Sequence, residues 1–448
     1  MSISLTTDQV LALAPDASSA SAGKKLSNTR SWQNLGQNSS ALWGECQGSA
    51  LYQVKVDLST LTAHCNCPSR KFPCKHSLGL LLLAASDPAS LPIAIESPAW
   101  VATWLAKRQG ASTGKQDKEA QPSGESAQRS HASQLKRAEK RVALVAKGLD
   151  SLDLWLNDLV RNGLASVQTQ LASFWESKAA QMVDAQAPGI AARLRLMSGI
   201  PNASRDWPAK LLEQLGRLAL LSHAYRRLDL LNASLQEDVR QLIGWTLTQE
   251  EVAARGETVS DDWMVLGQTL NDEEKVRVQR TWLYGTRSQR RALLLQFSAA
   301  GAPFPEIYPL GSHQQADLLF WPGAYPQRAR LIARRGEIAP LQGQLPGEEH
   351  IDTFLAGVAG VLACQPWIER FLCVLRNVTP VCTNGGDTWY VRDSRGDALP
   401  LAKGEYWQML ALSGGYPVDL AAEWNGEALL PIGMMAQGTY FLQGRTLQ

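Results

Sequence analysis

The chain has 448 residues, 45% of them hydrophobic and 19% charged, which excludes a disordered protein and leaves room for about two to four domains, since one core rarely grows beyond ~250 residues. Its 44 basic and 42 acidic residues give a net charge of +2, so no global field draws it to nucleic acid or anionic lipid and any such contact must be local. The longest apolar run, Leu78 to Ala85, is far short of a ~20-residue membrane span, the N-terminus lacks a basic segment followed by a long apolar run, and seven cysteines, three of them within ten residues, suit a reducing cytoplasm better than a disulfide framework.

In chain order, residues 1–105 form an N-terminal region whose centre, about 40–90, reads as strand, strand, helix. Leu51, Gln53, Lys55 and Asp57 alternate with Tyr52, Val54, Val56 and Leu58, and Leu61 to Cys65 supplies the returning strand. The run from His76 to Ala85 has the length and composition of a buried helix that stops near Asp87-Pro88. From Ala106 to Gln134 there is no Val, Ile, Leu, Met or aromatic residue, and residues 106–134 are expected to be a flexible linker. Leu135, Val142, Val145, Leu149, Leu152, Leu156 and Leu159 then recur at helical spacing, and residues 135–255 read as a helical domain.

Residues 256–448 mix strand and helix and make one or two subdomains. Strand-like runs occur at Trp263 to Gly267, Val276 to Tyr284, Ala292 to Ser298 and Trp389 to Arg392; helices are expected at His350 to Leu362 and Pro366 to Leu375. The expected class is therefore α+β and multidomain: a small N-terminal ββα unit, a helical middle domain and a mixed α/β C-terminal region.

The chemistry concentrates in Cys65-Asn66-Cys67-Pro68-Ser69-Arg70-Lys71-Phe72-Pro73-Cys74-Lys75-His76. Structural zinc takes four sulfur and nitrogen donors in a tetrahedron, and Cys65, Cys67, Cys74 and His76 supply them. On an extended segment residues i and i+2 share a face, so Cys65 and Cys67 reach one ion. Cys74 and His76 stand at a helix start, where unpaired amides favour thiolate. His64 and Cys46 are the alternative donors. One structural Zn²⁺ is expected.

A C-x-C-x(n)-C-x-H pattern across a ββα unit resembles the SWIM zinc finger over about residues 40 to 85, including Trp43-Gly44 and the basic loop. The whole layout resembles, more loosely, the bacterial SWIM zinc-finger proteins. The resemblance implies binding of DNA or protein, and, for the bacterial set, company with a MoxR-type AAA+ ATPase and a von Willebrand A protein.

Two functions compete. In the first, Arg70, Lys71 and Lys75 meet phosphates of DNA or RNA and Phe72 stacks on a base; the same cations also serve merely to solubilise the loop and to offset the negative charge of the Zn(Cys)₃His group. In the second, the protein is an interaction scaffold, with some of its fifteen tryptophans anchoring partners. Catalysis is not expected, because a zinc with four protein ligands keeps no open position. Gly110-Ala111-Ser112-Thr113-Gly114 imitates a hydrolase motif but lies in the linker, and Cys364, Cys373 and Cys382 are expected in the core.

Overall fold

The computed structural model describes residues 5–48, 50–69, 71–113, 124–273, 276–299, 302, 304–383 and 388–443. Two short helices open the chain, α1 (Thr7–Ala12) and α2 (Ala17–Lys25). Each begins where a side chain satisfies free amides: Thr6 and Gln9 form a capping box, and the Asp16 carboxylate accepts from Ser19 N–H. Four antiparallel strands follow in chain order, β1 (Trp32–Gln37), β2 (Ala41–Gln47), β3 (Leu51–Asp57) and β4 (Thr62–Cys65), then α3 (Lys75–Ser86). The finger is thus built on four strands rather than the expected two. Helix α3 buries Leu78, Leu80, Leu81 and Leu82 against one side of this sheet, while α4 (Ala99–Thr113) brings Val101, Trp100 and Leu105 to Ala41 and Trp43.

Within the stretch expected as a linker, residues 106–113 are the end of α4, residues 114–123 lie outside the described residues, and residues 124–134 begin α5 (Gly124–Arg161). The Ala, Gln, Arg and Glu residues of this stretch favour helix by intrinsic propensity. The helical domain continues with α6 (Ala172–Asp184), α7 (Pro188–Met197), α8 (Trp207–Arg226), α9 (Ala233–Ile243) and α10 (Gln249–Arg255). Val145, Leu149, Leu152, Leu156 and Leu159 of α5, spaced by four and three, are all buried, and they share one core with Trp175, Ile190, Leu211 and Val239.

The C-terminal region holds two sheets. Strands β5 (Glu257–Glu273), β6 (Val276–Gly285), β7 (Arg291–Ala299), β8 (Ser312–Phe320) and β9 (Arg328–Pro340) close a barrel in the order β5-β6-β7-β9-β8, with β7 and β9 parallel and the other pairs antiparallel. Trp263, Leu283, Leu294, Leu318 and Phe320 fill it. Helix α11 (Ile351–Cys364) leads to a six-stranded sheet made by β10 (Phe371–Thr383), β11 (Thr388–Arg392), β12 (Ala398–Pro400), β13 (Val418–Trp424), β14 (Leu429–Ala436) and β15 (Thr439–Leu442), with α12 (Trp407–Ser413) packed on it.

The helix expected at Pro366 to Leu375 is corrected: Phe371 onwards is strand β10. Its apolar run reads as helix because both faces are buried. Leu372 and Val374 face the barrel, whereas Phe371, Cys373 and Leu375 face the sheet's own core. Of the three cysteines expected in the core, Cys373 is buried, Cys382 is half-buried, and Cys364 is exposed at the end of α11.

Sheet and barrel pack directly. Trp282 on the outside of β6 is fully buried among Leu372, Val374, Ala421 and Ile432. A Cβ on Gly267 of β5 would stand 2.7 Å from Ile432 Cβ, so only glycine allows this approach. The finger also rests on the barrel's β7–β8 connection: Ile307 N–H donates to Thr60 O at 3.1 Å, and Pro305 O accepts from the Thr62 hydroxyl at 2.5 Å and from Arg108 of α4 at 3.5 Å.

Candidate metal centre

The four expected ligands meet at the seam between the sheet and α3. Cys65 is the last residue of β4, and its neighbour Asn66 prolongs the ladder, its side-chain oxygen accepting from Gln53 N–H at 2.9 Å and its own N–H donating to Gln53 O at 3.3 Å. That extension carries the chain on to Cys67. Cys74 is the N-cap of α3, its sulfur accepting from Ser77 N–H at 3.5 Å, and His76 lies in the first turn. Tyr52 of β3 lies against the imidazole, with ring centroids 4.7 Å apart, and fixes its plane.

One donor atom from each of Cys65, Cys67, Cys74 and His76 lies within 4.8 Å of the others. Cys65 Sγ stands 3.7 Å from His76 Nδ1. With Zn–S of ~2.3 Å and Zn–N of ~2.0 Å, the edges of a tetrahedron measure roughly 3.5–3.8 Å, so small side-chain movements close the shell. Cys74 and His76 are buried, and Cys65 and Cys67 half-buried, which keeps bulk water from the set. The donors therefore fit zinc by number, type and spacing.

The electrostatics agree. The Cys74 thiol is drawn down to about 3, first by the hydrogen bond from Cys65 and then by those of His76 and Ser77, against the opposing effect of its burial. The same shared proton pushes Cys65 upward together with its burial, and burial raises Cys67. A divalent cation held by these four donors would replace that proton sharing and favour three thiolates.

The alternative donors lie elsewhere. His64 points away from the cluster toward Trp104, at 6.2 Å between ring centroids, and its pKa is lowered mainly by burial. Cys46 is fully buried in the finger core.

The basic loop is less open than its sequence implies. Lys71 Nζ is 2.7 Å from the Asp16 carboxylate at the start of α2, and this hydrogen bond is the first cause holding the Asp16 carboxyl well below its usual range. Phe72 is half-buried and packs on the finger core. Lys75 is exposed on the first turn of α3, and Arg70 lies outside the described residues. The Asp16 contact had no visible sign in the sequence, because it joins positions more than fifty residues apart.

The family model described as the SWIM zinc finger matches residues 52–85, and the one described as the SWIM-associated four-helix bundle domain matches residues 140–243. No curated protein and no solved structure matches the chain. The chain thus carries a SWIM-type finger with a Cys₃His site for one structural zinc, followed by the helical bundle that accompanies such fingers. No helix among the described residues is long and apolar enough to cross a membrane.

Proposed function

We propose that this chain, a SWIM zinc finger joined to its associated bundle, is a cytoplasmic recognition protein whose zinc is structural and whose ligand is another protein. The observation that carries this reading is the state of the zinc loop. Phe72, the residue suited to stacking on a base, is packed on the finger's own core, and the Asp16 carboxylate sits against Lys71 where a phosphate would have to bind.

The C-terminal half supports the same reading. The OB-fold, a five-stranded Greek-key barrel, binds oligonucleotides on the face of its second and third strands. Here the part of that face around Trp282 is covered by the six-stranded sheet, while Phe297 at its far end stays exposed. The reading is also non-enzymatic, since four protein donors leave the zinc no position for water or substrate. The partner class that the resemblance supplies is a MoxR-type AAA+ ATPase with a von Willebrand A protein.

The competing reading keeps Arg70, Lys71, Phe72 and Lys75 as a nucleic-acid surface, and the exposed Lys75 favours it. Titration of the full chain with single- and double-stranded DNA and RNA at two salt concentrations separates the two, together with capture from cell extract with and without nuclease. A protein ligand predicts weak, non-specific nucleic-acid binding and partners retained after nuclease. Tight binding that falls steeply with salt, and is lost in the zinc-loaded triple variant Arg70→Glu, Lys71→Glu, Lys75→Glu, would overturn it.

A further inference from the structure

The barrel is closed by a short seam. Among the described residues, β7 and β9 pair only at Leu293 with Arg328 and Leu294 with Ala329, although β7 runs on to Ala299 and β9 to Pro340. Just past the seam β9 carries an extra residue, Ile332, between the partners of Asp317 and Leu318, and such a bulge bends its strand. No other strand among the described residues pairs with β7 on that side. Leu293 N–H donates to Gln327 O, away from β6. By the two-residue period of a strand, the N–H and C=O of Phe297 face the same way, beyond the last rung of the seam.

Open strand edges are normally blunted by charge, proline or a bulge. None of these protects this one: Leu293 to Ala299 holds no charged residue and no proline, and its register with β6 is unbroken. Past the seam, Phe297 of β7 is 54% exposed and Ile332 of β9 is 47% exposed. The surroundings are strongly basic. Between Val276 and Pro340 stand nine arginines, no lysine and three carboxylates, against a net charge of +2 for the whole chain. At the seam itself, Arg328 stacks over the Trp321 ring at 4.3 Å and Arg330 donates to the Gln249 side-chain carbonyl at 3.2 Å. Both contacts are with neutral groups, so the two charges remain to be matched.

An edge that offers N–H and C=O groups in turn is complementary to another extended backbone, which brings both groups at the same spacing. A phosphodiester chain would meet the guanidiniums but has no N–H for the edge carbonyls. Arginine without lysine, beside exposed apolar side chains, is also the composition of protein interfaces. We propose that β7, from Leu295 to Ala299, accepts an extended acidic segment of another protein as an added strand. Apolar side chains of that segment rest on Phe297 and Ile332, and its carboxylates are drawn to the arginines around the seam, Arg328 and Arg330 first. The proposal rests on the protein-recognition reading and supplies its surface. Partners retained after nuclease, with no strand added at β7, would leave that reading standing and remove this site alone.

Calorimetric titration of the full zinc-loaded chain with the capped peptide Glu-Glu-Thr-Val-Thr-Val-Thr-Glu-Glu, which reads alike in both directions, tests this. Its controls are a copy with lysine for glutamate, and two copies N-methylated on alternate residues, at the valines or at the threonines. The acidic peptide should bind, the lysine copy about tenfold more weakly or not at all, and one N-methylated copy about tenfold more weakly. Oligothymidylate should not displace it. Phe297→Ala should weaken binding about threefold. Phe297→Pro removes an N–H that β6 does not use and should weaken it about tenfold, with melting temperatures recorded to confirm folding. No binding of the acidic peptide at millimolar concentration, equal binding of the lysine copy, or both N-methylated copies matching the parent would each overturn the assignment. So would unchanged affinity in folded Phe297→Pro, and displacement by oligothymidylate would make the edge a nucleic-acid surface instead.

Discussion

Trp282→Phe probes the joint between barrel and sheet. Trp282 and Glu423 are both buried, the indole N–H donates to Glu423 Oε2 at 2.8 Å, and the Arg370 guanidinium pairs with the other carboxylate oxygen. Phenylalanine retains most of the apolar contact with Leu372 and Ile432 but leaves a buried carboxylate oxygen without its donor. Hydrogen bonds to charged groups are worth about 1.5–3 kcal/mol, and the space left by the smaller ring adds about 1 kcal/mol. The expected loss is therefore about 3 kcal/mol. At about 2–4 °C per kcal/mol for a unit of 150–250 residues, the thermal transition that includes the C-terminal half should fall by roughly 6–12 °C. In a Glu423→Gln background, where the acceptor is neutral, the same substitution should cost about 1 kcal/mol less. A fall below about 2 °C, or an identical loss in both backgrounds, would refute the role given to this bond.

Two further substitutions test the helical domain. Burial raises the Asp238 carboxyl from 3.8 to about 6, where it accepts from Ala324 N–H at 2.7 Å. The folded protein then holds the proton more tightly than the unfolded chain, so this group's contribution, at most about 3 kcal/mol, is present below pH ~4 and lost as pH rises through ~6. Asp238→Asn should remove that part of the pH dependence, read from denaturant midpoints between pH 4 and 7; an unchanged profile would contradict the assignment. A Cβ on Gly189 of α7 would stand 2.1 Å from Leu242 O of α9. Gly189→Ala should therefore lose about 2 kcal/mol in thermal unfolding despite the better helix propensity of alanine, and a gain in stability would show that the two helices separate freely.

What the sequence revealed follows from where the determining interactions lie. The zinc site was legible because its four donors fall within twelve residues, and α5 because its buried leucines keep a strict helical spacing on one face. Strand β2 was not, since Ala41–Gln47 is buried almost throughout between α3 and α4 and shows no alternation. The barrel depends on pairing β5 with β8, as in Trp263 opposite Gln314, which no local pattern announces. Strand β10 was mistaken for helix for the same reason that β2 was missed: burial on both faces removes the period. The Asp16–Lys71 pair joins distant positions, so the partial neutralisation of the loop could not be read from spacing.

The central claim is that Cys65, Cys67, Cys74 and His76 hold one structural zinc. X-ray absorption at the zinc edge of the purified chain, with metal content measured on the same sample, tests it most directly. The account predicts one zinc per chain with three sulfur neighbours at ~2.3 Å and one nitrogen at ~2.0 Å, falling to two sulfurs or to loss of the metal in Cys74→Ser. An oxygen neighbour in the wild-type shell, or the same three-sulfur shell in Cys74→Ser, would contradict it.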